Sequence, residues 1–419
     1  MRRAAALIVA LVAALVAGPA AAGPGSLDPF FSHDGLQTAF PNGAVAYAVA
    51  IDHHGRIVLA GATLSDDPDI ALARFTPGGA LDTTFGRAGM VSTDLGADDY
   101  AFDVAIQDDG GIVVVGDRRA QASDKIVVQR YRPNGTLDPL FANAGTALTG
   151  FGRRFQSASA VAISPDGRIV VAGSTSNGIT SRSALARYLP DGRLDRDLGG
   201  DGRVTVDVSR SGERFTDVVV QPDGRIVAAG WAELSLVPAF DAARFTVGGR
   251  LDETFSDDGI ARVDVAPGGD KALALALQGD GKLVLAGAAS AAGRDEWGLI
   301  RLGSRGHLDP DFGELGRVVT DFGPGYDEAD GVAVQPNGKI VVAGRIRAGT
   351  HDDVGLLRLK SGGRHDRTFG AGGRVLTDVA GGSDAARDLA IGSNGKIVVA
   401  GEAPIDRIKR FLVARYLES

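Results

Sequence analysis

The chain has 419 residues, 44% hydrophobic and 23% charged, with a formal net charge of −8 and no cysteine. Disulfides, cysteine nucleophiles and lipoprotein anchors are therefore excluded, so the fold must be held by packing alone, and the acidic balance disfavours nucleic acid and anionic membrane surfaces as partners. A length prior of roughly 150 residues per domain would split such a chain, but repeat folds escape that prior.

The N-terminus reads Met1-Arg2-Arg3, then an apolar run from Ala4 to Ala17, then Ala20-Ala21-Ala22 before Gly23. This is the pattern of a secretory signal peptide over residues 1–22. The run is short of the about 20 residues a membrane span needs, and the arginine pair lacks the context of a twin-arginine signal. Export by the general pathway is expected, to periplasm, cell surface or medium, with no membrane span after cleavage. Loss of Arg2 and Arg3 leaves 42 basic against 52 acidic side chains.

The expected mature chain, 23–419, opens with a loop, Leu27-Asp28-Pro29-Phe30-Phe31, and an orphan strand, Gly35 to Phe40. A glycine-centred motif then recurs at Gly55, Gly110, Gly167, Gly224, Gly281, Gly338 and Gly395, the last six at intervals of 57 residues. Seven regular units mean a closed or stacked array. In the sixth unit Val332 to Val334 is an apolar run, Pro336-Asn337-Gly338 a turn, and Lys339 to Ala343 a β-branched run. Two further runs follow, Val354 to Leu359 and Arg374 to Asp378. Four short strands per unit follow from the Gly, Pro, Asn and Asp residues that bound these runs. Pairs such as Asp166-Gly167 and Asn394-Gly395 favour left-handed backbone and tight hairpins, so the first two strands are antiparallel neighbours. Second-strand runs such as Ile169 to Ala172 are apolar on both faces and need cover on both sides.

These features predict an all-β, seven-bladed β-propeller of four-stranded blades over 23–419. A linear β-solenoid has shorter turns and needs caps. The chain ends on a third-strand run, Phe411 to Tyr416. Residues 35–40 should therefore supply the outer strand of the blade formed by 385–417 and close the ring.

An arginine ends every third strand, at Arg74, Arg130, Arg187, Arg244, Arg301, Arg358 and Arg415. An aspartate stands in every following loop, at Asp82, Asp138, Asp195, Asp252, Asp309, Asp366 and, for the last blade, Asp28. Others end most fourth strands, at Asp94, Asp207, Asp264, Asp321 and Asp378. Repeated Arg to Asp pairing is the natural reading, because a ligand site would not need seven copies. In loops such as Leu81-Asp82-Thr83-Thr84-Phe85 the Asp caps the turn while Leu and Phe anchor it.

The motifs Gln335-Pro336-Asn337-Gly338-Lys339-Ile340-Val341-Val342-Ala343-Gly344, Leu185-Ala186-Arg187-Tyr188 and Leu308-Asp309-Pro310-Asp311-Phe312-Gly313 resemble the delta-60 repeat proteins. The resemblance covers essentially the whole expected mature chain. It implies an exported bacterial propeller-like protein, with no catalytic residues to carry over. The first unit departs from the pattern, with Thr38-Ala39 where a fourth-strand Asp is usual.

Second-to-third connections (residues 61–69, 174–183, 231–241 and 345–353) share little sequence, which marks their face as the one able to carry specificity. Eleven residues before each motif glycine stand Ala44, Asp99, Gln156, Glu213, Asp270, Asp327 and Asp384. If first strands line the channel, the five acids would ring its mouth, with Asp103, Asp217 and Asp388 four residues on sharing their side. Such a ring could hold Ca²⁺ or attract a cationic ligand. Loop capping is the favoured alternative, since the spacing matches no dedicated calcium loop. The apolar segment from Trp231 to Phe240 could be a contact patch or sugar platform, with folding back onto its own blade the favoured alternative. The six histidines show no metal spacing, and the glycines are read as serving turns. No cofactor is required. The expected function is a monomeric, non-enzymatic binding or scaffolding module for an envelope or extracellular glycan or protein. The alternative is a propeller hydrolase or lyase acting on polysaccharide through acids at the channel mouth.

Overall fold

The computed structural model describes residues 23–207, 209, 212–234, 237–291 and 293–418. The expected signal segment, 1–22, lies outside them. The described residues form seven four-stranded antiparallel sheets in a ring, a seven-bladed β-propeller. Blades one to six span 44–93, 98–149, 155–206, 213–263, 270–320 and 328–377; blade seven combines 385–416 with Leu36–Ala39. Strands are called a to d from the axis outward. Among the described residues no helix is long and apolar enough to cross a membrane.

Each a–b hairpin turns on a glycine with positive φ, for example 80° at Gly338, as the Asn-Gly and Asp-Gly pairs predict. Strands b and c are buried on both faces; the first six residues of strand b in blade two, Ile112–Arg119, are all buried. The protein therefore has no single core. It has seven apolar cores, each between neighbouring blades, such as Val58, Ile70 and Leu72 of blade one against Val104, Val114 and Val127 of blade two.

The predicted closure is present. Leu36–Ala39 pairs antiparallel with Ile408–Tyr416, Leu36 opposite Ala414 and Ala39 opposite Phe411. Every third-strand arginine reaches its loop aspartate, from Arg74–Asp82 at 2.9 Å to Arg358–Asp366 at 2.9 Å and Arg415–Asp28 at 2.7 Å. Six of the seven also donate to a backbone carbonyl in the next blade, Arg187 to Val247 and Arg244 to Ser304 both at 2.5 Å. Arg130 instead takes Asp109 and Gln107. The guanidinium lies over the loop phenylalanine in five blades, 4.4 Å from the Phe369 ring in one of them. One side chain thus ties its own loop, the loop's aromatic anchor and the neighbouring blade, which explains its recurrence without a ligand.

Candidate functional site

Strand a of every blade pairs with strand b through one register shift, a β-bulge at the same place seven times. The extra, unpaired residues are Tyr47, Phe102, Ser159, Thr216, Leu273, Asp330 and Arg387, all half-buried. A bulge re-aims a side chain, and here all seven converge on one central cavity of about 520 Å³. Opposite each bulge, strand b carries a glycine: Gly61, Gly116, Gly173, Gly230, Gly287, Gly344 or Gly401. A Cβ there would collide with the strand-a carbonyl oxygen, that of Arg214 at Gly230 and of Tyr100 at Gly116. These glycines permit the bulge and do not serve turns, which corrects the reading of all glycines as turn residues.

The seven bulge residues are all different, whereas two positions later strand a repeats Val49, Val104, Val161, Val218, Leu275, Val332 and Leu389. The wall has an aromatic side: Tyr47 lies 5.3 Å from Phe102, which stacks with Tyr100 at 5.9 Å, and Arg119 sits 4.3 Å over the Tyr100 ring. Its charged side chains are mostly paired. Arg387 holds buried Glu402 by two bonds of 3.2 and 2.9 Å, and Arg119 lies 3.5 Å from Asp117.

Below the bulges, Asp103, Asp217 and Asp388 form a belt that joins blades. Each accepts one N–H from its own strand and one from the next blade: Val161 at 2.7 Å, Leu275 at 2.6 Å and Val49 at 2.8 Å. Burial pushes Asp217 up to about 6 and Asp388 to about 7, and Asp103 well above its ordinary range. Repulsion within the belt adds to this, from Asp388 and Asp217 on Asp103 and from Asp217 on Asp388. Asp330 on blade six is raised to about 7, chiefly by burial, and its Oδ2 is buried with no hydrogen-bond partner among the described residues.

The five acids proposed as a channel ring do not line this cavity. Asp99, Glu213, Asp270, Asp327 and Asp384 are fully or almost fully buried at the blade junctions. Asp270 accepts from Val265 and Ala266 of its own entry loop and from Ser290, Asp384 from Val379 and Ala380, Asp99 from Leu95, Glu213 from Ser209 and Ser183, and Asp327 from Arg347. The bulge between each of these acids and the belt shifts the alternation by one residue, so Asp99 and Asp103 do not share a side. The only described acids whose carboxylate oxygens cluster closely enough to hold a cation are Asp353, Asp378 and Asp384, between blades six and seven.

Within the Trp231 to Phe240 segment, the described residues continue two paired strands, Ile226–Leu234 and Val237–Phe245, with Trp231 opposite Phe240, and Leu236 lies outside the described residues. Phe240 is fully buried in the core between blades four and five, so it offers no ligand platform. Trp231 is half-buried and stacks under Lys271, 5.2 Å away. The connection at 345–353 is likewise a long hairpin.

Six segments, 55–85, 107–141, 164–197, 221–255, 278–312 and 335–369, match the family described as "Domain of unknown function (DUF5122) beta-propeller". These matches support a β-propeller repeat family. Five of the matched segments run from the a–b turn to the loop phenylalanine and the third stops one residue short of Leu198, so all six cover the scaffold and exclude the bulge ring. A comparison with curated proteins gives no match. Among solved structures, the polysaccharide lyase Uly1 is similar with a TM-score of 0.50 and 12% identity over 90% of each chain. Virginiamycin B lyase from Staphylococcus aureus gives 0.48 and 12%, covering 90% of this chain and 98% of that one. Drosophila Plexin A in complex with Semaphorin 1b gives 0.45 and 11%, covering 94% and 87%. At these identities the likeness concerns the fold alone.

Proposed function

We propose that this β-propeller is an exported binding module of the delta-60 type, taking a small polar ligand from an envelope or extracellular glycan or protein in the basin framed by its seven bulges. One observation carries the reading. Where packing dictates a residue, the seven blades agree; at the seven positions aimed into one cavity, they all differ. A cavity of this size with a few converging polar groups and an aromatic wall fits a ligand pocket. The signal-like N-terminus supports export. The test is retention of residues 23–419 on cell-wall and polysaccharide preparations, compared with the Tyr47→Ala/Phe102→Ala variant. Loss of retention with an unchanged melting curve is expected; equal retention would remove the basin from the account.

One observation favours the enzymatic alternative, a hydrolase or lyase acting on polysaccharide. Asp330 combines a buried, unpartnered oxygen with a pKa near 7, suited to proton transfer at neutral pH. Soluble product that disappears in Asp330→Asn would select that reading over binding alone.

A further inference from the structure

Arg214 stands apart from the other cations of the basin. It lies on strand a of blade four, Glu213–Val220, three residues before Asp217, and lines the cavity. The other two lining cations have partners: Arg387 holds Glu402, and Arg119 has Asp117 and the Tyr100 ring. Arg214 holds no carboxylate among the described residues. Its one hydrogen bond is a long donation from Nη2 to the Ser157 hydroxyl at 3.4 Å, and its Nε is buried with no partner. A buried donor left without a partner is costly, and more so when it is charged. Across the basin on blade six, Asp330 presents the complementary orphan, a buried acceptor oxygen. Tyr47 and Phe102 supply an apolar face on blades one and two.

Resting on the binding reading above, we propose that the basin takes an acidic sugar, whose carboxylate is clamped by Arg214, whose hydroxyls donate to Asp330, and whose ring packs on Tyr47 and Phe102. A guanidinium presents a planar fork that matches a carboxylate, and among the described cavity-lining cations Arg119 and Arg387 already face carboxylates. Burial opposes the charge on Arg214 and lowers its pKa, the Asp117 carboxylate favours the charge without forming an ion pair with it, and Arg119 opposes it; a bound carboxylate would add the direct contact that Asp117 does not make.

The experiment is an NMR titration of residues 23–419 with D-glucuronate, D-glucose, lactate and inorganic phosphate, on the wild type, Arg214→Gln, Arg214→Lys and Tyr47→Ala. Glucuronate should bind at least about tenfold more tightly than glucose, a fold-change typical of one charge-assisted pair. Arg214→Gln should erase that preference and leave glucose binding, and Arg214→Lys should restore part of it. Equal affinity for glucuronate and glucose, or a preference that survives Arg214→Gln, would overturn the proposal while leaving the basin reading intact. Lactate or phosphate binding as well as glucuronate would reduce the site to a general anion clamp and overturn the sugar assignment. No glucuronate binding would also overturn it, and binding indifferent to Tyr47→Ala would sink the basin reading itself.

Discussion

Arg415 and Asp28 are 387 residues apart in sequence and 2.7 Å apart in space. Lys396 joins the same carboxylate at 2.6 Å, and the three fasten the chain's beginning to its last blade. Asp28 is fully buried, and its two cations and the Phe30 amide hold its pKa below the usual range despite the burial.

Asp28→Asn should therefore be costly, because it strands two cations at the closure. Breaking a buried pair costs on the order of 3 kcal/mol, whereas Asp109→Asn, which relieves only an exposed partner, should stay near 1 kcal/mol or less. Chemical denaturation of the two variants checks the contrast, and equal effects would count against closure as the weak point of the ring. Deleting 23–40 should lower the melting temperature further still, since it removes the whole outer strand of blade seven.

The strand-b glycines make a second test. Gly230→Ala places a methyl against the Arg214 carbonyl and should cost on the order of 2 kcal/mol, while weakening any ligand bound in the basin. Gly279→Ala meets nothing within 4 Å and should be nearly neutral. Thermal melts of both variants decide whether the bulge geometry is as tightly specified as proposed.

The aspartate belt predicts a pH dependence with a definite sign. Asp217 and Asp388 have folded pKa values raised to about 6 and 7, so between about 4 and 7 the folded state holds protons that the unfolded state has lost. Stability should fall as pH rises through that window, by at most about 1.4 kcal/mol per pH unit for each group, and level off above it. The loop carboxylates behave oppositely: Asp82, Asp195, Asp252 and Asp309 are lowered, and their contribution is lost only below about 4. Unfolding free energy should thus be larger at pH 5 than at pH 8, and Asp388→Asn should flatten the difference. A rise in stability from pH 5 to pH 8 would contradict the belt's burial.

Calcium should leave the melting temperature unchanged at millimolar concentration. In the cluster of Asp353, Asp378 and Asp384, Asp384 already accepts Val379 and Ala380, and exposed Asp378 accepts Gly381. A calcium-dependent rise that Asp384→Asn removes would assign the cation site there instead.

The architecture was legible because it repeats. The turn glycines, the third-strand arginines and the loop aspartates stand at fixed spacing, and each performs one task seven times. The orphan strand at Gly35 to Phe40 was readable because blade seven lacked its fourth. The basin was not, because it depends on pairing register, which no single strand reveals. Assuming strict alternation put Asp99 on the side of Asp103, and one inserted residue, Phe102, undid that. Asp103, Asp217 and Asp388 stood out in the sequence, but as companions of the five acids rather than as a belt between blades, whereas Tyr47, Arg214, Asp330 and Arg387 did not stand out. A signal was present: a glycine interrupts the β-branched run of strand b in every unit, as at Gly344 after Ile340 to Ala343, and interior strand glycines mark bulges. Trp231 and Phe240 read as a loop because b–c pairing in blade four runs further past the strand-b glycine than in the first three blades, and the buried Phe240 agrees with the favoured reading that the segment folds back onto its blade.

The most direct measurement is retention of purified residues 23–419 on cell-wall and polysaccharide preparations, beside Tyr47→Ala/Phe102→Ala and a control altered at exposed Val247 on the scaffold. Retention lost only in the double variant, with folding intact, is the predicted result. Retention equal in all three proteins would show that the bulge ring is not where this propeller meets its ligand.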